Sequence, residues 1–296
     1  MLGRVSDRYR ETRVVAVRPP PCNRTEQREE MIAQLGRALS EGDPAAARVQ
    51  LRAVIASIDT RASRSPRNGR ALRRKAVLVA TSYAENTAAH LPNCHRDADR
   101  MKEALMSSRG YREGDIAVVQ NADATRTRIM AEMRTLMAQS HMCDEVVFYY
   151  AGHGVQRKSQ AVTEKDGLDE CILAHDLSVV RDKEIASIVS RCAATCSLVF
   201  IADCCTSGSI TDAVEVEHMR TRAEPVRHHV AVAACRDGTD AAQDHRGRGN
   251  LTQFLTQQMR RGDGCVPLRS LCNKRLGAQR TVVSRHSDGV RNNLFL

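Results

Sequence analysis

Ser197-Leu-Val-Phe-Ile-Ala-Asp-Cys-Cys-Thr-Ser-Gly-Ser209 is the stretch around which the rest of the chain is arranged. Its opening, Ser197 to Ala202, is an apolar, β-rich run bounded by polar residues, and it reads as a buried strand of a parallel sheet. Such a strand delivers the residues after its C-terminal end into the crevice where open α/β sheets hold their sites. Asp203, Cys204 and Cys205 therefore fall where chemistry is usually placed. A second stretch has the same form: Glu145-Val-Val-Phe-Tyr-Tyr150 runs into Ala151-Gly-His-Gly-Val155. A histidine between glycines is more often structural than catalytic, and a lone buried cysteine is usually a small hydrophobe. The pair at matching strand ends is different, because it makes a Cys/His dyad of His153 and Cys205.

Tyr150-Ala-Gly-His-Gly154 and Asp203-Cys-Cys-Thr-Ser-Gly208 resemble the two active-site motifs of the metacaspases, in the caspase-like clan of cysteine peptidases. The resemblance extends from about Lys75 to the C-terminus. Two positions depart from the family pattern: Ala151 stands for its usual Ser, and Thr206 for its usual His. Neither change removes a catalytic atom, but both mark a divergent member. The chemistry fits the residues. A thiol attacks a carbonyl as thiolate, and a nearby imidazole can take its proton and later hand it to the leaving amine. The resemblance implies an oxyanion hole made by the N–H groups of Gly154 and Cys205; losing one such donor costs about 3 kcal/mol of barrier. Cys204 is the rival nucleophile. The family spacing, two residues after the aspartate, selects Cys205, and alternation along an extended chain puts the two thiols on opposite sides.

The family's preference for Arg or Lys before the cut bond rests on an acidic pocket, whose aspartates match Asp203 and Asp97. Asp97 lies in Asn93-Cys-His-Arg-Asp-Ala98, a partial match to the family's G-C-x-N-D-A segment; its alternative role is a helix N-terminal carboxylate favoured by the dipole. The resemblance also implies calcium, with Asp166, Asp182 and Asp212 as oxygen ligands. Arg181 stands where the family often has the first of two aspartates, and a guanidinium beside the ion would weaken binding. The alternatives are a helix cap for Asp182 and a solvated loop charge for Asp212. No organic cofactor is expected.

Composition sets limits. The 296 residues suffice for one large α/β domain plus a small appendage, and 42% hydrophobic content can build a core. Aromatics are only 3% and Trp is absent, so Met and Ala fill much of that space. Much of the net charge of +10 lies between Arg61 and Lys75, outside the catalytic region. The 11 cysteines form neither a secreted framework nor a zinc set, which points to reduced thiols and a cytoplasmic setting. No run of about 18 apolar residues predicts a membrane span, and Met1 to Pro20 has no secretory signal core.

Three regions are expected. Residues 1–60 comprise a basic segment and a helical hairpin, with Met31, Ile32, Leu35 and Leu39 on the first helix and Val49, Leu51, Val54, Ile55 and Ile58 on the second, a pro-region or docking element. Residues 61–74 are a basic linker: a cut site, a polyanion patch or simply a solvated connection. Residues 75–296 are a peptidase-like domain in which strands begin at Lys75, Ile116, Glu145, Cys171, Ser197 and His229. Helices open near Leu91, Thr125, Asp182 and Asn250, and Gln156 to Asp169 and Ser209 to Arg227 read as polar loops. This alternation predicts a mainly parallel sheet with helices on both faces, and with the resemblance a caspase-like three-layer sandwich. The leading functional expectation is a monomeric cysteine endopeptidase domain acting on protein or peptide substrates after Arg or Lys. Calcium would promote cuts at Arg220, Arg222, Arg227 or in the linker. The second is a caspase-fold interaction module with little activity. A nucleic-acid binder is a poor third, because no aromatic platform or reading motif accompanies the basic linker.

Overall fold

The structure, a computed structural model, describes residues 71–159, 167–205, 228–234, 249–262, 264–271, 274–276, 279–286 and 293–295, with scattered positions between 30 and 40. The chain divides into two compact units, Met1–Thr60 and Arg61–Leu296. In the first, the described residues between 30 and 40 are helical, as the spacing of Ile32 and Leu39 predicts. The second helix of the expected hairpin and most of the basic linker lie outside the described residues.

The second unit is built on a six-stranded sheet. Its strands are β1 (Arg74–Ala80), β2 (Ile116–Gln120), β3 (Glu145–Ala151), β7 (Ser197–Asp203), β8 (His228–Ala233) and β11 (Val282–His286), in the order β11-β8-β7-β3-β1-β2. All neighbours are parallel except β11, which pairs antiparallel with β8 at one edge. β3 and β7 are buried along their whole length. That is why each reads as a continuous apolar run and not as an alternation.

Helices cover both faces. α1 (Cys94–Arg109) and α4 (Asn250–Arg261) pack with Leu78, Tyr149 and Ile201 on one face. On the other, α2 (Arg126–Gln139) and α3 (Asp182–Val189) pack with Val79, Phe148 and Phe200. Local chemistry sets the helix ends. Thr125 accepts the Arg128 N–H as N-cap of α2, and Gly110, at φ 69°, closes α1 with its N–H on the Leu105 carbonyl. α1 begins at Cys94, after Asn93 at φ 66°, so Leu91 and Pro92 precede the helix.

One expected loop is partly a strand. Gly154–Lys158 forms β4, which pairs antiparallel with β5 (Leu168–Leu173), and β5 pairs with β6 (Val179–Arg181). β4 buries no residue fully, so it carries no hydrophobic pattern to betray it. The three strands form a small separate sheet whose near end is Gly154, one residue beyond His153. A two-stranded ribbon, β9 (Arg275–Leu276) with β10 (Gln279–Arg280), and the short α5 (Leu268–Leu271) complete the described unit.

Candidate active site

β3 and β7 run parallel with Ala151 opposite Asp203. Two residues further along each chain come His153 and Cys205, so the register brings them level at adjacent strand ends. The backbones touch there: a Cβ at Gly154 would collide with the Cys205 carbonyl, and it would lie 3.3 Å from the Cys204 sulfur. Only glycine fits that approach. The two thiols diverge. Cys204 is 1% exposed, in the core beside Tyr150 and Phe200, whereas Cys205 is partly exposed.

His153 is held on several sides. Its Nε2 lies 2.7 Å from the Ala89 carbonyl oxygen. A carbonyl only accepts, so Nε2 carries the proton and Nδ1 keeps the basic lone pair. The Tyr83 ring packs against the imidazole, with centroids 5.0 Å apart. The Tyr83 hydroxyl accepts the His153 N–H at 3.2 Å and donates to the Leu173 carbonyl at 2.6 Å. The Tyr150 hydroxyl lies 2.9 Å from the His153 carbonyl and 2.7 Å from that of Leu173. Burial raises the pKa of both phenols, so they serve as neutral hydroxyls. Each such bond is worth about 1 kcal/mol, and together they fix the backbone on which the imidazole turns.

The Gly154 N–H is left out of the β4–β5 ladder. Leu173 N–H donates to the His153 carbonyl at 2.9 Å, which makes Gly154 and Ile172 a non-hydrogen-bonded pair. The glycine's N–H therefore points away from β5.

Asp97 and Asp203 converge on Gly249, the residue before α4. A side chain at Gly249 would run into Asp203 Oδ2 and approach Asp97 Oδ2 to 3.2 Å. Asp97, 1% exposed, accepts the Gly249 N–H at 2.8 Å and pairs with Arg100 at 2.6 Å. Asp203, 7% exposed, receives at Oδ2 the N–H and hydroxyl of Thr252, at 2.9 and 2.6 Å. No described residue donates to its Oδ1. Burial, aided by the Asp97 charge and opposed by Thr252, pushes the Asp203 carboxyl up to about 6.

Asp166, Asp212, Arg220, Arg222 and Arg227 lie outside the described residues. Asp182 is the first residue of α3 and is buried, not remote from the core as its charge suggests. It accepts the Lys183 N–H at 2.7 Å, and burial pushes its carboxyl up to about 6. Beside it, both oxygens of buried Asp169 are taken by cations: Arg181 at 2.5 Å and Lys183 at 2.8 Å. Among the described residues no three His, Cys, Asp or Glu side chains are arranged to hold a metal. The described part of this donor set, with both Asp169 oxygens on side-chain cations, does not fit a calcium ion.

Several residues at the site had no signal, or only part of one, in the sequence. Ala89 acts through its carbonyl, which any residue carries. Tyr83 sits in no motif. Thr252 lies in the helix expected to open near Asn250, but its grip on Asp203 is not legible. Tyr150 lies inside the motif quoted above, so its position was visible although its hydroxyl contacts were not.

A Cys and a His level at adjacent parallel strand ends, on a sheet with helices on both faces, define a caspase-like protein. Caspase-1 from Spodoptera frugiperda shares this fold, with a TM-score of 0.52 at 13% identity over 75% of this chain and 92% of that one. So does the protein GSU0716 from Geobacter sulfurreducens, with a TM-score of 0.57 at 18% identity over 75% of this chain and 97% of that one. Residues 74–214 match the family described as metacaspase, peptidase C14 domain. Metacaspase-8 of Arabidopsis thaliana is 31% identical over 160 residues, 52% of this chain and 42% of that protein. Metacaspase-1 of Schizosaccharomyces pombe is 32% identical over 150 residues, 47% and 35% of the two chains. Residues 74–214 are thus similar to the metacaspase peptidase C14 domain, and the matched stretch spans less than half the length of these relatives. No helix among the described residues is long and apolar enough to cross a membrane.

Proposed function

We propose that this chain is a cysteine endopeptidase that cuts after Arg or Lys. The observation that carries the reading is the strand register, which sets Cys205 level with His153, while Ala89 fixes the imidazole tautomer. Nδ1 of His153 removes the Cys205 proton, and the thiolate attacks the scissile carbonyl carbon. The oxyanion is received by the N–H groups of Gly154 and Cys205, the former free of the strand ladder. The imidazolium then protonates the leaving amine, the C–N bond breaks and a thioester remains. Water, deprotonated by the same imidazole, hydrolyses the thioester and regenerates the thiol.

Specificity rests on Asp203 and Asp97. A guanidinium or ammonium of the substrate would complete Asp203, whose Oδ1 takes no donor from the described residues. The substrates are accordingly protein or peptide chains with Arg or Lys before the cut. The arginines of the 209–227 loop and of the 61–74 linker are themselves of that type, so self-cleavage belongs to the same proposal.

The test is covalent labelling of the full chain by a peptidyl-arginyl activated ketone, together with the fragment pattern on storage. Wild type should label and cut. Cys205→Ala should do neither, and His153→Ala should lose at least about 10⁴-fold in kcat/KM. A wild type that neither labels nor cleaves would make the chain a caspase-fold interaction module.

A further inference from the structure

The calcium expectation meets a specific obstacle at Asp169. Its carboxylate is buried on β5, and its two oxygens receive Arg181 Nη1 at 2.5 Å and Lys183 Nζ at 2.8 Å. The same Arg181 nitrogen donates to the Lys158 carbonyl at 3.2 Å, and Lys183 Nζ donates to Ser159 Oγ at 3.0 Å. A carboxylate, a main-chain carbonyl and a hydroxyl are the oxygen ligands a hard divalent cation takes. Here those oxygens converge on an ammonium and a guanidinium, which together carry two positive charges. The contacts tie three segments: the end of β4, β5, and the junction of β6 with α3. Burial alone would push the Asp169 carboxyl up, but bonds from Lys183, Ser159 and Arg181 outweigh it and hold the group below the usual carboxylate range.

From this arrangement we infer that Arg181 and Lys183 form a built-in dication that takes the place of calcium, so that this peptidase domain is organised without the ion. The location gives the clamp its purpose. β4 begins at Gly154, next to His153, and β5 ends at Leu173, whose carbonyl receives the Tyr83 hydroxyl. Fastening the far end of this small sheet steadies the end that carries the dyad histidine and the Gly154 N–H. A calcium ion entering here would have to displace two side-chain cations from one carboxylate, and like charges at such distances repel strongly.

The inference goes beyond the proposed peptidase activity, and its test does not depend on that activity. Full-length wild type is titrated with calcium chloride by calorimetry up to about the millimolar range of weak sites. Its melting temperature is compared in calcium and in a chelator. Wild type should show no saturable binding and a melting temperature the same in both. Saturable binding with a raised melting temperature would overturn the inference.

Arg181→Asp removes one cation and adds a carboxylate beside Asp169 and Asp182. It should gain saturable calcium binding and a melting temperature that climbs with calcium by several degrees, because a ligand that binds only the folded state stabilises it. Should Arg181→Asp fail to fold, Arg181→Gln serves. It should melt lower than wild type in chelator and recover part of the loss in calcium. A folded variant that stays indifferent to calcium would overturn the idea that the clamp occupies the ion's place.

Discussion

At the edge where the central strands begin, Glu145 is fully buried and saturated with donors. Tyr111 donates to it at 2.9 Å, Arg109 lies at 3.4 Å and Arg74 at 3.6 Å. Arg109 also lies over the Phe295 ring, 5.1 Å from its centroid. At the edge where the strands end, Asp203 is nearly as buried, yet Thr252 is its sole described hydrogen-bond partner. Its neighbour Asp97 is paired with Arg100, and no described cation pairs with Asp203 itself. A carboxylate with its cations in place is a structural element. A carboxylate left short of cations among the described residues, two positions before Cys205, is a place for a ligand to bring one.

The largest expected effect tests the structural end. Glu145→Gln removes the charge and leaves the buried Arg109 guanidinium and the half-buried one of Arg74 without it. Breaking one partner of such a pair costs about 3–5 kcal/mol. Chemical denaturation should show that loss, while Cys205 labelling by the arginyl ketone in the surviving folded fraction stays within about twofold. A variant as stable as wild type would mean that the two edges do not differ as argued.

The next effect inverts the pattern. Asp203→Asn keeps the shape and removes the charge. A folded-state pKa of about 6, above the ordinary carboxylate value of 3.8, means that the ionised form is disfavoured on folding. Its destabilising contribution is absent below the unfolded value and grows as pH rises through about 6. At pH 7 the substitution should therefore hold or raise the melting temperature. For substrates with Arg before the cut, kcat/KM should fall about 100-fold, or about 3 kcal/mol, the scale of a charged hydrogen bond lost in a desolvated pocket. A neutral analogue should change little. Equal losses for both substrates would make Asp203 a structural residue.

The same contrast explains what was legible in the sequence. Strands buried on both faces print as unbroken apolar runs, so Glu145–Ala151 and Ser197–Asp203 stood out, and their ends marked His153 and Cys205. Asp182–Val189 was legible because its apolar spacing begins at an acidic first turn. β4 was not, because a strand that buries little has no pattern of its own. The positions of Asp97 and Asp203 followed from the motifs. Their meeting at Gly249 is a property of the folded chain, since 152 residues separate Asp97 from that glycine. Asp182 misled for a related reason. Charge at a helix start reads as exposed, whereas Asp182 is buried where β6 meets α3.

The smallest effect is the most discriminating, because it reads the open carboxylate directly. The pH profile of kcat/KM reports ionisations of the free enzyme, and both the dyad and Asp203 contribute to it. The dyad acts on every substrate alike. It cancels in the ratio of kcat/KM for a peptide with Arg before the cut to that for the same peptide with the neutral isostere citrulline. What remains is the charge of the pocket. Asp203, pushed up to about 6, is mostly ionised at pH 7 and mostly protonated at pH 5. The ratio should accordingly fall about tenfold between those values, with its midpoint near the Asp203 pKa. Thr252→Val removes the hydroxyl that bonds Asp203 at 2.6 Å, a contact that lowers the pKa. In that variant the midpoint should move to higher pH, while in Asp203→Asn the ratio should be low and flat. A ratio independent of pH in wild type would assign the charge preference to some group other than Asp203. A midpoint unmoved by Thr252→Val would separate the preference from the Thr252–Asp203 contact.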